Sequence, residues 1–414
     1  MKLYLTSDEA ATQLGVSTAT LYAYVSRGLI RSIKTGGNQH RSRAYLAEDV
    51  YRLLSNREVR QSAGKAGEQR AGALESRIAL IENGRLYYRG LDAVHLARTH
   101  SLEQVAAILW ETEEADFGET DLESSTAAWQ LCAELGNDLP PMNRALIGLG
   151  FAANQHGQFW MRDGASTIKA GRLALEVMVS CVTGQAPSSD PIHVRLARAW
   201  GISGKGASEI LRMALVLCAD HELNPSTYSV RCIASTGTNL LLALAGGIAA
   251  MLGPRHGGAT ATARALIREC KRESRAQDYL LARLQSGEQF PSFGHKLYQD
   301  GDPRAALLLE ELQSQRQSHA SMAVILEIAS IVLRATTARP NLDFALAGVE
   351  DALKLPSGSA LSLFAIGRCV GWIAHAREQA MIDSAPIRPR AIYIGPRPDV
   401  PGPEKQSEAM VDSQ

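Results

Sequence analysis

Apolar positions recur along this 414-residue chain with two different periods. The helical period dominates. In residues 101–111, Leu102, Val105, Ala106 and Leu109 fall on one helical face, and Ser101 with Gln104 forms a capping-box pattern ahead of them. Similar stripes predict helices over residues 123–135, 144–151, 167–183, 194–200 and 205–217. Residues 240–251 are apolar almost throughout, and Pro254, which has no N–H to give, stops that helix. A second strongly apolar helix, in the run "LFAIGRCVGWIAHAREQ", carries Arg368 amid apolar neighbours. The two-residue period is confined to short stretches. Residues 77–81 and 86–88 flank Asn83-Gly84 and read as a hairpin with a type I′ turn. Strands do not alternate with helices, so a parallel α/β sheet is excluded and the fold class is mainly α.

The first 55 residues have their own pattern. Ser7 is placed to cap a helix with Asp8 and Glu9 in its first turn, where the helix dipole favours negative charge. Ala10, Ala11 and Leu14 form its stripe, and Gly15 breaks it. Ser17 caps a second helix over residues 18–26, with Leu21, Tyr24 and Val25 on one face. Residues 29–34 and 41–45 read as a hairpin around a turn at 35–39, and residues 47–54 as a third helix. This helix, turn, helix and wing resembles the winged helix-turn-helix of the MerR and excisionase type. The resemblance would put Ser17, Thr18, Thr20 and Tyr22 against bases, with Arg27, Lys34, His40, Arg41 and Arg43 at phosphates or a minor groove. A docking module that does not bind DNA is the alternative.

Charge sharpens this division. The chain as a whole is neutral. Its first 70 residues hold eleven basic and six acidic residues, a surplus of five that the remainder cancels. A basic module therefore precedes a mildly acidic body. Residues 56–75 are polar, small and charged, and read as the linker; residues 397–414 read as a flexible tail. Six scattered cysteines, with no C-x-x-C pair, fit reduced buried thiols better than a disulfide frame. The N-terminus lacks a basic-then-apolar signal pattern, and the apolar run at 240–252 is short of the ~20 residues a bilayer demands. A cytoplasmic location is expected.

Candidate chemistry gathers between residues 218 and 395. Gly253-Pro254-Arg255-His256-Gly257-Gly258 presents a histidine among small residues, and its glycines are free to take positive φ and let a ligand approach the backbone. "ADHELNPST" holds His221, and "FGHKLYQDGDPRA" places His295 and Arg304 in a loop marked by Pro291, Gly294, Gly301 and Pro303. "NLDF" holds Asp343 among apolar neighbours, and Arg388 lies in a proline-rich segment. Three histidines, an acid in an apolar setting and several lone arginines suggest acid/base chemistry on an anion with more than one carboxylate. Zinc competes for the histidines, but none has H-x-x-x-H or H-E-x-x-H spacing, and the arginines would repel a cation.

Those motifs, with "LYYRGLDAVHLA" and "IRPRAIYIGP", occur in the order and spacing of the citrate synthases, which the chain resembles over about residues 76–396. The resemblance implies a large helical domain, a small one over about residues 258–354 that closes on the substrates, and a homodimer. It implies that Asp343 takes a proton from acetyl-CoA, that His256 stabilises the enol oxygen, and that His295 polarises the ketone of oxaloacetate. It implies that His221, Arg304 and Arg368 bind the carboxylates, with Arg388 arriving from the other subunit. No permanently bound cofactor or metal is implied; acetyl-CoA or propionyl-CoA is a co-substrate. Three departures stand out: Ala345-Leu346-Ala347 after Asp343-Phe344, Lys296-Leu297 after His295, and the helix-turn-helix itself. Three readings remain: a synthase making citrate or 2-methylcitrate, a DNA-binding regulator with a metabolite-sensing body, and a scaffold.

Overall fold

The computed structural model describes residues 4–14, 16, 18–26, 30–35, 42–46, 49–50, 74–112, 122–136, 138–156, 164–273, 275–290, 292–315, 319–382 and 386–389. Two bodies divide the chain, one within residues 1–75 and the other over Ser76–Arg390.

The N-terminal body runs β1 (Tyr4–Leu5), α1 (Ser7–Leu14), α2 (Thr18–Ser26), β2 (Ser32–Thr35) and β3 (Ser42–Leu46). Its sheet has the order β1-β3-β2, antiparallel throughout, with Tyr4 opposite Leu46 and Ile33 opposite Ala44. Ala10, Ala11, Leu14, Leu21, Ile30, Tyr45 and Val50 close its core, with Tyr24 and Val25 packed against them. The cap of α1 is Thr6, one residue earlier than the sequence suggests. Thr6 Oγ1 accepts from Glu9 N at 3.3 Å, and the Glu9 carboxylate accepts from Thr6 N at 3.0 Å. Ser7 is already helical, and a capping side chain has to stand outside the helix it caps. The Ser17 cap, the turn from residue 36 on and most of the third helix lie outside the described residues.

The larger body opens with β4 (Ala79–Glu82), β5 (Arg85–Tyr88) and β6 (Leu91–Asp92). Asn83 and Gly84 have φ of 51° and 71°, the paired positive values a type I′ turn demands. Helices follow: α3 (Ala93–Thr99), α4 (Leu102–Trp110), α5 (Leu122–Glu134), α6 (Pro141–Gln155), α7 (Gly164–Thr183), α8 (Ile192–Ala199), α9 (Lys205–Cys218), α10 (Pro225–Ala234) and α11 (Leu240–Met251). Then come α12 (Gly258–Arg272), α13 (Ala276–Gln285), α14 (Pro303–Ser314), α15 (His319–Thr336), α16 (Leu342–Ala352) and α17 (Ser359–Ala380). The expected capping box of α4 is present in full. Helix α6 starts three residues earlier than its apolar stripe, because Pro141 supplies a preset φ at the first turn.

Helix α17 organises this body. It packs on α4, α7, α9, α10, α11 and α16. It is long and apolar enough to cross a bilayer by length and composition, yet 94% of its most apolar window is buried, as befits a core helix. Two glycines set how close α9 comes. A Cβ on Gly367 would lie 2.4 Å from Leu215 O, and one on Gly371 2.2 Å from Ala219 O. The approach is close enough for Gly371 N to donate to Ala219 O at 3.0 Å. It brings Arg368, between those glycines, onto the end of α9.

Candidate active site

Several of the functional side chains sit where helices begin. Asn224 caps α10, Asp302 caps α14 and Asn341 caps α16, while His256 precedes α12 by two residues. Arg304 and Asp343 are therefore first-turn helical residues; Arg304 is not in a loop, because Asp302 accepts from its backbone N at 3.0 Å and starts α14 there.

One half of the site is cationic. His221 Nε2 lies 3.0 Å from the hydroxyl of buried Tyr298, and its ring stands edge-on to His295 with centroids 5.1 Å apart. Leu297 N donates to His295 Nδ1 at 3.1 Å. A backbone N–H can only donate, so the neutral His295 ring carries its proton on Nε2 and offers a donor there. Burial pushes the pKa of both histidines down, and Arg304 adds to the shift. Arg304 is itself clamped: Nε and Nη2 bond the two oxygens of Asp302 at 2.9 and 2.8 Å. Burial works against its charge, and Asp302 more than offsets that. Asp302 Oδ2 also accepts from Leu342 N at 3.1 Å, so one buried carboxylate fixes both Arg304 and the start of α16.

The other half holds the acid. Asp343 Oδ1 is shut off from solvent and has no hydrogen-bond partner among the described residues. Burial raises its pKa to about 7 against the pull of Arg304 and Arg368. A helix N-terminus ordinarily favours a carboxylate by ~0.3–1 kcal/mol. Here desolvation wins, as the wholly buried Phe344, Ala345, Leu346 and Ala347 behind it explain. Arg368 is 1% exposed. Its Nε donates to Cys218 O at 2.8 Å, and its guanidinium lies 5.0 Å from the centroid of Phe364. Burial depresses its pKa. Its two Nη groups bond nothing among the described residues, the state of a cation waiting for an anion. Phe364 also meets His256, edge-on at 5.8 Å between centroids. Burial, with Arg368 adding, lowers the His256 pKa to about 4, so the ring is neutral at pH 7.

The glycine turn works by room rather than by backbone conformation. Neither Gly257 nor Gly258 has positive φ. A Cβ on Gly257 would lie 2.6 Å from both Met251 O and Leu361 Cδ1. The turn folds back so tightly, with Gly257 N bonded to Met251 O at 3.0 Å, that no side chain fits.

Ring contacts, hydrogen bonds and electrostatic reach thus bring together His221, His295, Arg304, Asp343, Arg368 and His256. Arg388 takes no part among the described residues: it is exposed, in a segment held where Ile387 N meets Ser235 Oγ at 2.9 Å. In the N-terminal body Thr18, Tyr22 and Arg43 are exposed and Thr20 is half-buried, while Arg27 and Arg41 lie outside the described residues. Sequence reading missed Asp302, Tyr298, Ser226 and Trp372. Asp302 was legible as an N-cap before proline; the other three join the site only through tertiary contacts.

The family model described as "Citrate synthase, C-terminal domain" matches residues 67–390, and one described as "Helix-turn-helix domain" matches residues 4–58. A Mycobacterium tuberculosis protein carrying a provisional citrate synthase name is 34% identical over 218 residues, 51% of this chain and 54% of that one. The chain thus spans about half the length of that curated relative. The 2-methylcitrate synthase of Shewanella oneidensis is 27% identical over 83% of this chain and 98% of its own. Among solved structures, citrate synthase from Thermoplasma acidophilum, in a ternary complex with carboxymethyl coenzyme A and oxaloacetate, superposes with a TM-score of 0.69. That pair is 22% identical, covering 80% of this chain and 96% of that one, a likeness of fold.

Proposed function

This chain belongs to the citrate synthase family, and on that premise we propose that it condenses acetyl-CoA with oxaloacetate and hydrolyses the product thioester to citrate and CoA. The observation that carries the reading is Asp343, an unpartnered acid with a pKa of about 7 in electrostatic reach of Arg304 and Arg368. A methyl group beside a thioester carbonyl is a weak acid. Removing its proton calls for a positioned base near neutral pKa and a donor on the carbonyl oxygen. Asp343 is the base. Neutral His256 holds the oxygen with a hydrogen bond, so the proton passes from carbon to the carboxylate as an enolate forms. The enolate carbon then attacks the oxaloacetate ketone; a carbon–carbon bond forms as the ketone π bond opens, His295 Nε2–H protonates the ketone oxygen, and the proton held by Asp343 returns through solvent to restore the imidazole. His221, Arg304 and Arg368 hold the substrate carboxylates. Water finally cleaves the carbon–sulfur bond, releasing CoA thiol.

Arg304 enters through its Nη1, since Asp302 holds the rest of the guanidinium. Arg388, exposed and outside the site of its own chain, completes the site of a second copy in a homodimer. Propionyl-CoA is the second acyl donor, a reading favoured by the Shewanella oneidensis relative. The decisive experiment is a thiol-release assay with acetyl-CoA and propionyl-CoA, each with and without oxaloacetate. Release that depends on oxaloacetate supports the reading, and the better acyl donor assigns the product. No release with either donor sinks it and leaves the metabolite-sensing regulator. The N-terminal body is proposed to bind DNA through α2, with Thr18 and Tyr22 exposed on it.

A further inference from the structure

His256 can serve as a donor to a carbonyl only through the nitrogen that faces away from its protein partner. Nε2 is taken: it lies 2.8 Å from Ser226 Oγ. Nδ1 must then carry the proton, and Nε2 must accept one from Ser226, because a neutral imidazole has one N–H. Ser226 has a single proton and two other groups in reach. Trp372 Nε1, wholly buried, lies 3.3 Å from Oγ and can only donate to it. Asn224 Oδ1 lies 2.8 Å from Oγ and can only accept. The orientation of the Asn224 amide is fixed, since Oδ1 accepts from Thr227 N at 3.2 Å and Nδ2 faces Thr227 Oγ1 at 3.0 Å. Asn224 Oδ1 and His256 Nε2 therefore compete for one proton.

We propose that Asn224 is a positioning residue for His256: through Ser226 it sets which imidazole nitrogen is protonated, with Trp372 pinning Ser226 Oγ at the branch point. This rests on the synthase reading only for its catalytic consequence. In the unliganded protein the proton of Ser226 points to Asn224, since a hydroxyl lone pair set 2.8 Å from a carboxamide oxygen is repulsive. His256 then rests as the Nε2–H tautomer, donating to Ser226, with Nδ1 bare. Exchange of ring protons with water converts it to the Nδ1–H form, and Ser226 turns to donate to Nε2. A bound thioester carbonyl favours that form by accepting from Nδ1–H. The ring that stabilises the enolate is thus switched on by the acyl group it serves.

The test is nitrogen NMR of the full chain labelled with 15N-histidine, without substrates, using His256→Gln to assign the signals. Wild type should show Nε2 as the protonated nitrogen. Asn224→Ala removes the competitor and should move the proton to Nδ1. Asn224→Asp keeps a good helix cap and a stronger acceptor, and should hold it on Nε2. Kinetically, Asn224→Asp should lower kcat by about a hundredfold, the low end of the ~10²–10³ that losing one oxyanion donor costs, with a smaller change in the KM for oxaloacetate. A proton on Nδ1 in all three proteins overturns the inference, as does an Asn224→Asp chain with unchanged kcat. If the proton moves as expected but wild type releases no thiol, the positioning role stands and the synthase reading falls.

Discussion

Asp343 concentrates the tension of the site in one side chain. A carboxyl held at about 7 by burial is a stronger base than an exposed one, and its ionisation is correspondingly costly to the fold. The sign follows from linkage. Its folded pKa lies above the ordinary 3.8, so below ~4 the group is protonated in both states and costs nothing. Between ~4 and ~7 the unfolded chain releases its proton while the folded one retains it, and stability falls as pH rises. Above 7 the full penalty, a few kcal/mol at ~1.4 per pKa unit, is present. Asp343→Asn should therefore stabilise the unliganded protein more at pH 8 than at pH 5, as urea midpoints would read. It should also cut kcat by ~10²–10⁴, the usual worth of a general base. Wild-type kcat/KM should rise with pH through an inflection near 7. A mutant melting identically at both pH values would mean the acid is not desolvated. Arg368 offers the complementary test. Arg368→Leu should raise the KM for oxaloacetate by ~10- to 100-fold, the loss of a charge-assisted hydrogen bond worth ~1.5–3 kcal/mol. Its effect on the KM for the acyl donor should be smaller.

At the scale of elements, the legible and the illegible have separate physical causes. Hairpin β4–β5 and the capping box of α4 were written locally, in Asn83-Gly84 and in Ser101 with Gln104, because each depends on atoms three residues apart or fewer. The approach of α17 to α9 was not. Gly367 and Gly371 look like weak points in an apolar helix, and only the packed structure shows carbonyl oxygens where their side chains would be. The same gap separates His256, visible in its glycine turn, from Ser226 and Trp372, which reach it across two other helices. Gly371→Ala tests the element contact. Its Cβ would meet backbone Ala219 O at 2.2 Å and Asp220 Oδ1 at 2.5 Å. The change should cost ~1–3 kcal/mol as overpacking does, and should weaken oxaloacetate binding by shifting His221, the next residue. Gly246→Ala is the control. There the obstacle is the end of the Ile233 side chain at 2.1 Å, which can rotate away, so the loss in melting temperature should be smaller. Equal losses would mean that α9 and α17 have slack to separate.

The whole molecule joins a body of one chemistry to a module of another, and the join is testable because each body holds its own core. Ile78, Leu86 and Tyr88 belong to the core of the larger body, whereas Leu5, Leu21 and Tyr45 belong to that of the smaller. Every group assigned to catalysis lies within Ser76–Arg390. Removing residues 1–75 should thus leave a folded protein whose kcat changes by less than about twofold, as expected of autonomous domains. The full chain, but not the truncated one, should bind duplex DNA with an affinity that falls linearly against the logarithm of salt concentration. The slope, ~0.9 per phosphate contacted, counts the cations engaged. Neutralising exposed Arg43 should reduce that slope by about one. If truncation instead abolishes turnover while the remaining body stays folded, the helix-turn-helix serves assembly or regulation of the catalytic body. If the full chain shows no salt-dependent DNA binding, the DNA-reading role of the N-terminal body falls.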